Sequence, residues 1–119
     1  MRNFRKYDVW KDSIAFVDKV YKLVEHFPAR ENYGLTSQLT RSSISLPSNI
    51  AEGASRESEK DFARFLEISL GSAFELETQL LIAGNRNYVE RKLTEDLINE
   101  LISMQKRIAA LRKKVLNKK

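Results

Sequence analysis

Apolar side chains recur along this chain at spacings of three and four through four stretches, and the polar punctuation between them is short. In the first, Trp10, Ile14, Val17, Tyr21 and Val24 form one row and Val9, Phe16, Val20, Leu23 and Phe27 a second. Two adjacent rows predict an amphipathic helix with a wide buried stripe over about 8–26. Pro28 ends it, because the residue before a proline is pushed out of the helical region. The second stretch, about 31–53, carries Leu35, Leu39, Leu46 and Ile50 on one side, contains Pro47, and stops at Gly53-Ala54-Ser55. The third, about 58–86, opens with Ser58 as N-cap and Asp61 three positions on, a variant of the capping box. Its stripe is Phe62, Leu66, Ser69, Ala73, Leu76, Leu80 and Ala83. In the fourth, about 92–117, Leu97, Leu101, Met104, Ile108, Leu111 and Val115 follow at 4, 3, 4, 3 and 4.

A seam of alternating fours and threes is the spacing of helices packed about 20° from antiparallel. Loops of a few residues force consecutive helices to reverse direction. The predicted fold is therefore all-α, an antiparallel up-down-up-down four-helix bundle filling one domain, 1–119. Asn-Gly and Asp-Gly turns are absent, and no alternating β-branched run competes. The ends, 1–7 and 117–119, are candidates for fraying.

Composition narrows the function classes. At 119 residues, 42% hydrophobic and 31% charged, the chain has the balance of a soluble globular protein. No apolar run approaches the roughly 18 to 20 residues a membrane span needs, and the expected location is cytoplasmic. The absence of cysteine excludes disulfides, thiolate metal sites and cysteine nucleophiles. The net charge of +5 is unevenly spread: residues 1–57 carry +2, 58–90 carry −3 and 91–119 carry +6. From Lys106 onward there are seven basic residues and no acid, which suits a polyanionic partner or a solvated terminal helix.

One stretch breaks the helical rule. Ser45-Leu46-Pro47-Ser48-Asn49-Ile50-Ala51-Glu52-Gly53 places a proline mid-helix, deleting a backbone bond to the Ser43 carbonyl at a cost of roughly 3 kcal/mol. The third segment answers with Gly71-Ser72 and Glu75-Leu76-Glu77-Thr78-Gln79. Small residues let two helix backbones approach, and hydroxyls can occupy carbonyls freed by a proline. The expectation is a polar network between the second and third helices involving Pro47, Asn49, Glu52, Ser72, Glu75 and Gln79.

Leu46-Pro47-Ser48-Asn49-Ile50-Ala51-Glu52-Gly53, with Phe62 to Leu66, Gly71-Ser72, Glu75-Leu76-Glu77, Gln79-Leu80 and Tyr88, resembles the four-helix-bundle proteins encoded by intervening sequences in bacterial 23S ribosomal RNA genes. The resemblance runs from Tyr7-Trp10 to the basic C-terminus. It implies a ring, a homopentamer, and a more distant kinship with the accessory variability determinant proteins of diversity-generating retroelements, which are basic pentameric bundles associated with nucleic acid. It transfers no catalytic residue.

The residues point the same way. A di-iron bundle needs Glu-x-x-His pairs, and the only histidine is His26, placed where an imidazolium suits a helix C-terminus. Glu75 and Glu77 point about 200° apart on a helix and form no dyad. Glu52 with Glu75 across helices is the remaining acid-base option, but Glu52 and Arg56 stand at i, i+4, where ion pairing is the simpler role. No phosphate-binding or nucleophile-elbow motif occurs. Catalytic, cofactor and metal residues are thus none, and the chain is expected not to be an enzyme. The candidates for nucleic-acid contact are Lys106, Arg107, Arg112, Lys113, Lys114 and Lys118: Lys106 and Lys113 outward, Arg107, Lys114 and Lys118 on one flank, Arg112 on the other. Partners left open are RNA or DNA through phosphate contacts, or a protein held by a structural ring.

Overall fold

A computed structural model describes residues 2–117 as four α-helices and two short 3₁₀ turns, with no strand among them. The helices are α1 (Asp8–Val24), α2 (Leu35–Ala54), α3 (Glu59–Asn85) and α4 (Arg91–Leu116). Each packs on the next in the chain, and α4 returns to α1, giving an elongated bundle of 49 × 23 × 20 Å. The apolar rows supply the core. Phe16, Val20, Leu39, Leu46, Ile50, Phe62, Leu66, Leu76, Leu80, Leu101 and Ile108 are all but completely buried.

The helix limits depart from the periodic pattern where local hydrogen bonds intervene. Helix α2 starts at Leu35 and not near residue 31, because Ala29–Glu31 form a 3₁₀ turn. The Glu31 carboxylate then accepts from the Leu35 N–H at 3.0 Å, capping a helix whose N-cap residue, Gly34, has no side chain to do so. Helix α1 stops at Val24, and the chain leaves through turns that leave His26 exposed. At α3 the Ser58 hydroxyl accepts from Asp61 N–H at 3.0 Å, the cap geometry expected there.

The first-helix stripe is narrower than two full rows. Val9, Ser13, Phe16, Val20 and Leu23 are buried, but Ile14 and Tyr21 remain 43% and 46% exposed. The N-terminal turn covers Trp10 through Phe4, but α1 meets other helices only on its α2 and α4 flanks among the described residues, so Ile14 and Tyr21 on its outer row stay exposed. Gly53 also differs from expectation. It lies inside α2 with an ordinary negative φ, buried against α3, and does not end the helix.

Up-down-up-down connectivity divides the bundle into two ends. At one, the α1–α2 and α3–α4 connections meet: Tyr88 Oη donates to Glu31 Oε2 at 2.7 Å, and its ring lies 5.4 Å from that of Phe27. Asn87, at φ 60°, reverses the chain there, a conformation asparagine tolerates better than most residues. At the other end gather the N-terminal arm, the end of α2, the start of α3 and the C-terminal turns of α4.

Candidate nucleic-acid interface and the polar seam between helices

The proline-bearing stretch of α2 faces α3, where hydroxyls and amides link the helices along a line. Near the proline, Ser69 donates to the Leu46 carbonyl at 3.0 Å. Ser45 and Ser72 share a hydroxyl bond of 2.7 Å, and Asn49 Nδ2 donates to Ser45 Oγ at 2.7 Å and to its carbonyl at 2.9 Å. Further along, Ser42 donates to Gln79 Oε1 at 2.6 Å, while Gln79 Nε2 reaches Gln38 Oε1 at 3.2 Å. Ser42, Ser69 and Gln79 are buried, where an unpaired polar atom costs about 1–3 kcal/mol.

The six network candidates therefore separate. Asn49, Ser72 and Gln79 lie in this seam, whereas Pro47, buried in the middle of α2, lies on the side toward Trp10, Ile14 and Val17 of α1. Glu52 and Glu75 do not enter it: both are exposed, and Glu52 pairs with Arg56 at 3.0 Å on its own helix. A carboxylate in the seam would have to shed its hydration against neutral hydroxyls, which favours amides and hydroxyls there. Sequence reading overlooked Ser42, Ser45, Ser69 and Gln38. The signal for the serines was a small hydroxyl residue within or next to the apolar stripe, as at Ser42 between Leu39 and Leu46 and at Ser69 between Leu66 and Ala73; Gln38 carried none. The freed Ser43 carbonyl is not what Ser69 occupies; the bond goes to Leu46, immediately before the proline.

Gly53 belongs to the same seam. A Cβ at this position would lie 2.6 Å from the Phe65 Cβ and 3.0 Å from Phe62 Cδ1, so only glycine permits α2 and α3 to approach this closely.

On α4 the basic candidates fall into two groups. Arg107 pairs with Asp12 of α1 at 2.7 Å and Arg112 with Glu67 of α3 at 3.0 Å, so each is spent on an inter-helix bridge. Lys106, Lys113 and Lys114 are exposed and form no ion pair among the described residues. Lys118 lies outside the described residues. The same end of the bundle gathers cations the sequence scatters far apart. Arg5 and Lys6 are exposed on the N-terminal 3₁₀ turn, and Arg56 and Arg64 each stand 4.7 Å from the Phe65 ring centroid.

Arg2 docks the arm onto the bundle. Its guanidinium bonds Glu59 and the Ala54 carbonyl and lies 4.7 Å above the Phe62 ring. Tyr7 stacks on Phe62 at 6.2 Å, and burial pushes its hydroxyl pKa up against the opposing influence of Arg2. At the far end, the Leu35 N–H, then the Tyr88 hydroxyl, with Arg30 and Arg86 beyond, hold the Glu31 carboxyl below its usual range. No group of three or more histidine, cysteine, aspartate or glutamate side chains suited to a metal occurs among the described residues. No helix among them is long and apolar enough to cross a membrane.

A family model described as 23S rRNA-intervening sequence protein matches residues 5–110, from the N-terminal 3₁₀ turn through α1, α2 and α3 into α4. The chain belongs to the 23S rRNA-intervening sequence protein family. Its fold is shared with a solved structure described as a protein with unknown function from the S23 ribosomal protein family from Bacteroides thetaiotaomicron. The two are 26% identical, with a TM-score of 0.79 over 88% of this chain and 98% of that one. No curated protein matches the chain. In this member of the 23S rRNA-intervening sequence family, the Pro-Ser-Asn-Ile-Ala-Glu-Gly run contributes Asn49 and Gly53 to the α2–α3 seam, and Lys113 and Lys114 lie near the end of the bundle that holds the N-terminal arm and the α2–α3 connection.

Proposed function

We propose that this protein is a non-enzymatic bundle that assembles into a homopentameric ring and binds RNA or DNA through phosphates. The observation that carries the polyanion reading is the set of exposed α4 lysines, Lys106, Lys113 and Lys114, with no acidic partner among the described residues. Arg5, Lys6 and Arg56 at the same end enlarge the surface. Charges of this kind give affinity without sequence preference, since they meet phosphates and not base edges. Repetition around a ring turns a weak single-protomer surface into a multivalent one.

Assembly has support of its own. Ile14, Tyr21, Ile44, Phe74 and Leu81 are large apolar side chains left exposed by the isolated chain, Phe74 and Leu81 at 56% each. A ring covers such surface, and whatever it leaves uncovered favours the second reading, an adaptor ring that holds a protein partner.

Filter binding of RNA and DNA across a salt series tests the polyanion reading. Replacing Lys106, Lys113 and Lys114 together by alanine is expected to lower the slope of log affinity against log salt by about 2 to 3 per engaged protomer. Absence of binding at about 50 mM salt, or a slope unchanged in the triple variant, removes nucleic acid and leaves the adaptor. Light scattering on a size-exclusion column tests the ring, with an expected mass five times 13.8 kDa. A monomer mass at tens of micromolar defeats it.

A further inference from the structure

Two opposite faces of the bundle carry apolar surface, and they differ in shape. Because each helix packs on the next and α4 returns to α1, the α1–α2 face and the α3–α4 face look in opposite directions. The first is concave. A furrow of about 400 Å³ lies there, lined by Trp10, Ile14 and Val17 of α1 and by Ile44, Pro47 and Ala51 of α2, with Asp18 on its α1 rim. The second is convex. Phe74 and Leu81, each 56% exposed, stand about 10 Å apart along α3 on the side away from buried Leu76, and form a ridge.

Shape decides how such faces are covered. Two furrows laid together leave a void and two ridges leave gaps beside them, whereas a ridge fits a furrow. A contact between unlike faces repeats head to tail from copy to copy, and a ring closes it with neither face bare. When all copies point the same way, the cyclic order of the helices sets α2 of one against α3 of the next, and α1 against α4. Levels and charges agree in that register. The Ser45–Ser72 bond holds Ile44 and Phe74 at nearly one height in the bundle. Asp18 lies about 15 Å from the start of α1 and Lys106 about 15 Å from the end of α4, both counted from the arm end. Neither forms an ion pair among the described residues, so the carboxylate on the furrow rim meets an unpaired ammonium on the ridge face.

We propose that a second copy of this chain fills the furrow: Phe74 of one protomer enters between Ile14, Val17 and Ile44 of the next, and Lys106 lies against Asp18. The proposal rests on the ring of the preceding section and adds which two faces close it. It draws Lys106 into the contact and leaves Lys113 and Lys114, nearer the end of α4, to phosphate.

A chain without cysteine makes cross-linking selective. Ile44→Cys in the furrow and Thr78→Cys, one turn along α3 from Phe74, both change exposed side chains. Refolded together and treated with a short bis-maleimide, the two single variants are expected to give a covalent dimer on a denaturing gel, whereas each alone gives none. The double variant Ile44→Cys/Thr78→Cys is expected to give a ladder that ends at the ring size. By light scattering across a dilution series, Asp18→Lys or Lys106→Glu alone should weaken assembly about tenfold, and the two together should restore it to within about threefold. Phe74→Ser, at an exposed site, should weaken assembly at least about tenfold with helix content by circular dichroism unchanged. An assembled protein whose mixed variants fail to cross-link, or in which Ile44→Cys links to itself, overturns the proposal and leaves the ring standing. Exchange of the two charges without rescue overturns it as well. A ladder that ends at a number other than five keeps the furrow contact and sinks the pentamer alone, while a monomer at tens of micromolar removes both.

Discussion

Gly53→Ala puts the α2–α3 contact to a quantitative test, because two effects of opposite sign meet at one position. Alanine in a helix interior is favoured over glycine by about 1 kcal/mol. Against this, the new methyl would stand 2.6 Å from Phe65 Cβ, 3.0 Å from Phe62 Cδ1 and 3.3 Å from the Phe62 carbonyl. Carbon atoms rest at about 3.5–4.0 Å, so the helices must part by about 1 Å here. Phe65 Cβ is fixed to the backbone and cannot swing aside. Phe62 and Leu66, next to this point, are fully buried, so the separation propagates into the core. Overpacking of this kind costs about 1–3 kcal/mol, and the forced backbone shift puts Gly53 at the upper part of that range. The net expectation is a loss of about 1–2 kcal/mol. Gly71 provides the control: it is exposed, lies within α3, and a Cβ there meets nothing within 4 Å. Gly71→Ala should therefore gain about 0.5–1 kcal/mol. Thermal unfolding followed by circular dichroism, at one fixed protein concentration so that assembly does not alter the midpoint, reads both. At about 4 °C per kcal/mol, Gly53→Ala should lower Tm by about 4–8 °C and Gly71→Ala should raise it by about 2–4 °C. A Gly53→Ala protein as stable as wild type would refute the close-contact argument.

Three further outcomes are expected. Ser42→Ala strands the buried Gln79 Oε1 and should cost about 1–3 kcal/mol by denaturant unfolding, whereas Ser42→Ala/Gln79→Leu should cost clearly less than the sum of its singles; additivity within about 0.5 kcal/mol contradicts a coupled pair. Asn49→Ala removes two bonds to Ser45 and should cost about 1 kcal/mol, while Glu75→Ala, exposed and outside the seam, should stay within about 0.5 kcal/mol; equal effects speak against the division of the seam residues. Glu31→Gln should lower Tm at neutral pH, with the difference from wild type closing in acid. A carboxyl whose folded pKa is depressed contributes stability above its ordinary 4.5, lost as pH falls through the folded value; a difference that stays constant down to pH about 3 contradicts it.

Much of this architecture could be read from spacing alone, because a buried face must repeat near every 3.6 residues and nothing else in the chain imitates that period. The seam at Leu97, Leu101, Met104, Ile108 and Val115 is buried throughout, with Leu111 half-buried at its edge. What periodicity misses is pairwise. Ile14 and Tyr21 have the correct spacing for burial, but no helix lies over them in the isolated chain. Gly53 looked like a stop signal because glycine favours helix ends, and only the position of Phe65 on the neighbouring helix reveals why it is needed. Arg107 and Arg112 could be placed on opposite flanks of α4 from 100° per residue, but not paired, since Asp12 and Glu67 are far off in the sequence. The arm end was illegible for the same reason: Arg2, Tyr7, Glu59 and Lys114 converge only after the chain has reversed three times.

The division between scaffold and contact surface follows from which polar groups have partners. Along the α2–α3 seam, the hydroxyls of Ser42, Ser45, Ser69 and Ser72 and the amides of Asn49 and Gln79 engage one another or a backbone carbonyl. A seam satisfied in this way has little left with which to recognise a ligand, and it sets the distance between two helices. The arm end is the reverse. There Lys113 and Lys114 are unpaired among the described residues, Glu59 Oε2 lacks a donor, and an apolar wall remains partly open. Unsatisfied groups on a rigid frame are what a partner can improve, whereas satisfied ones can only be disturbed. The Pro-Ser-Asn-Ile-Ala-Glu-Gly run therefore belongs to the frame, and the unpaired groups of the arm end lie outside it.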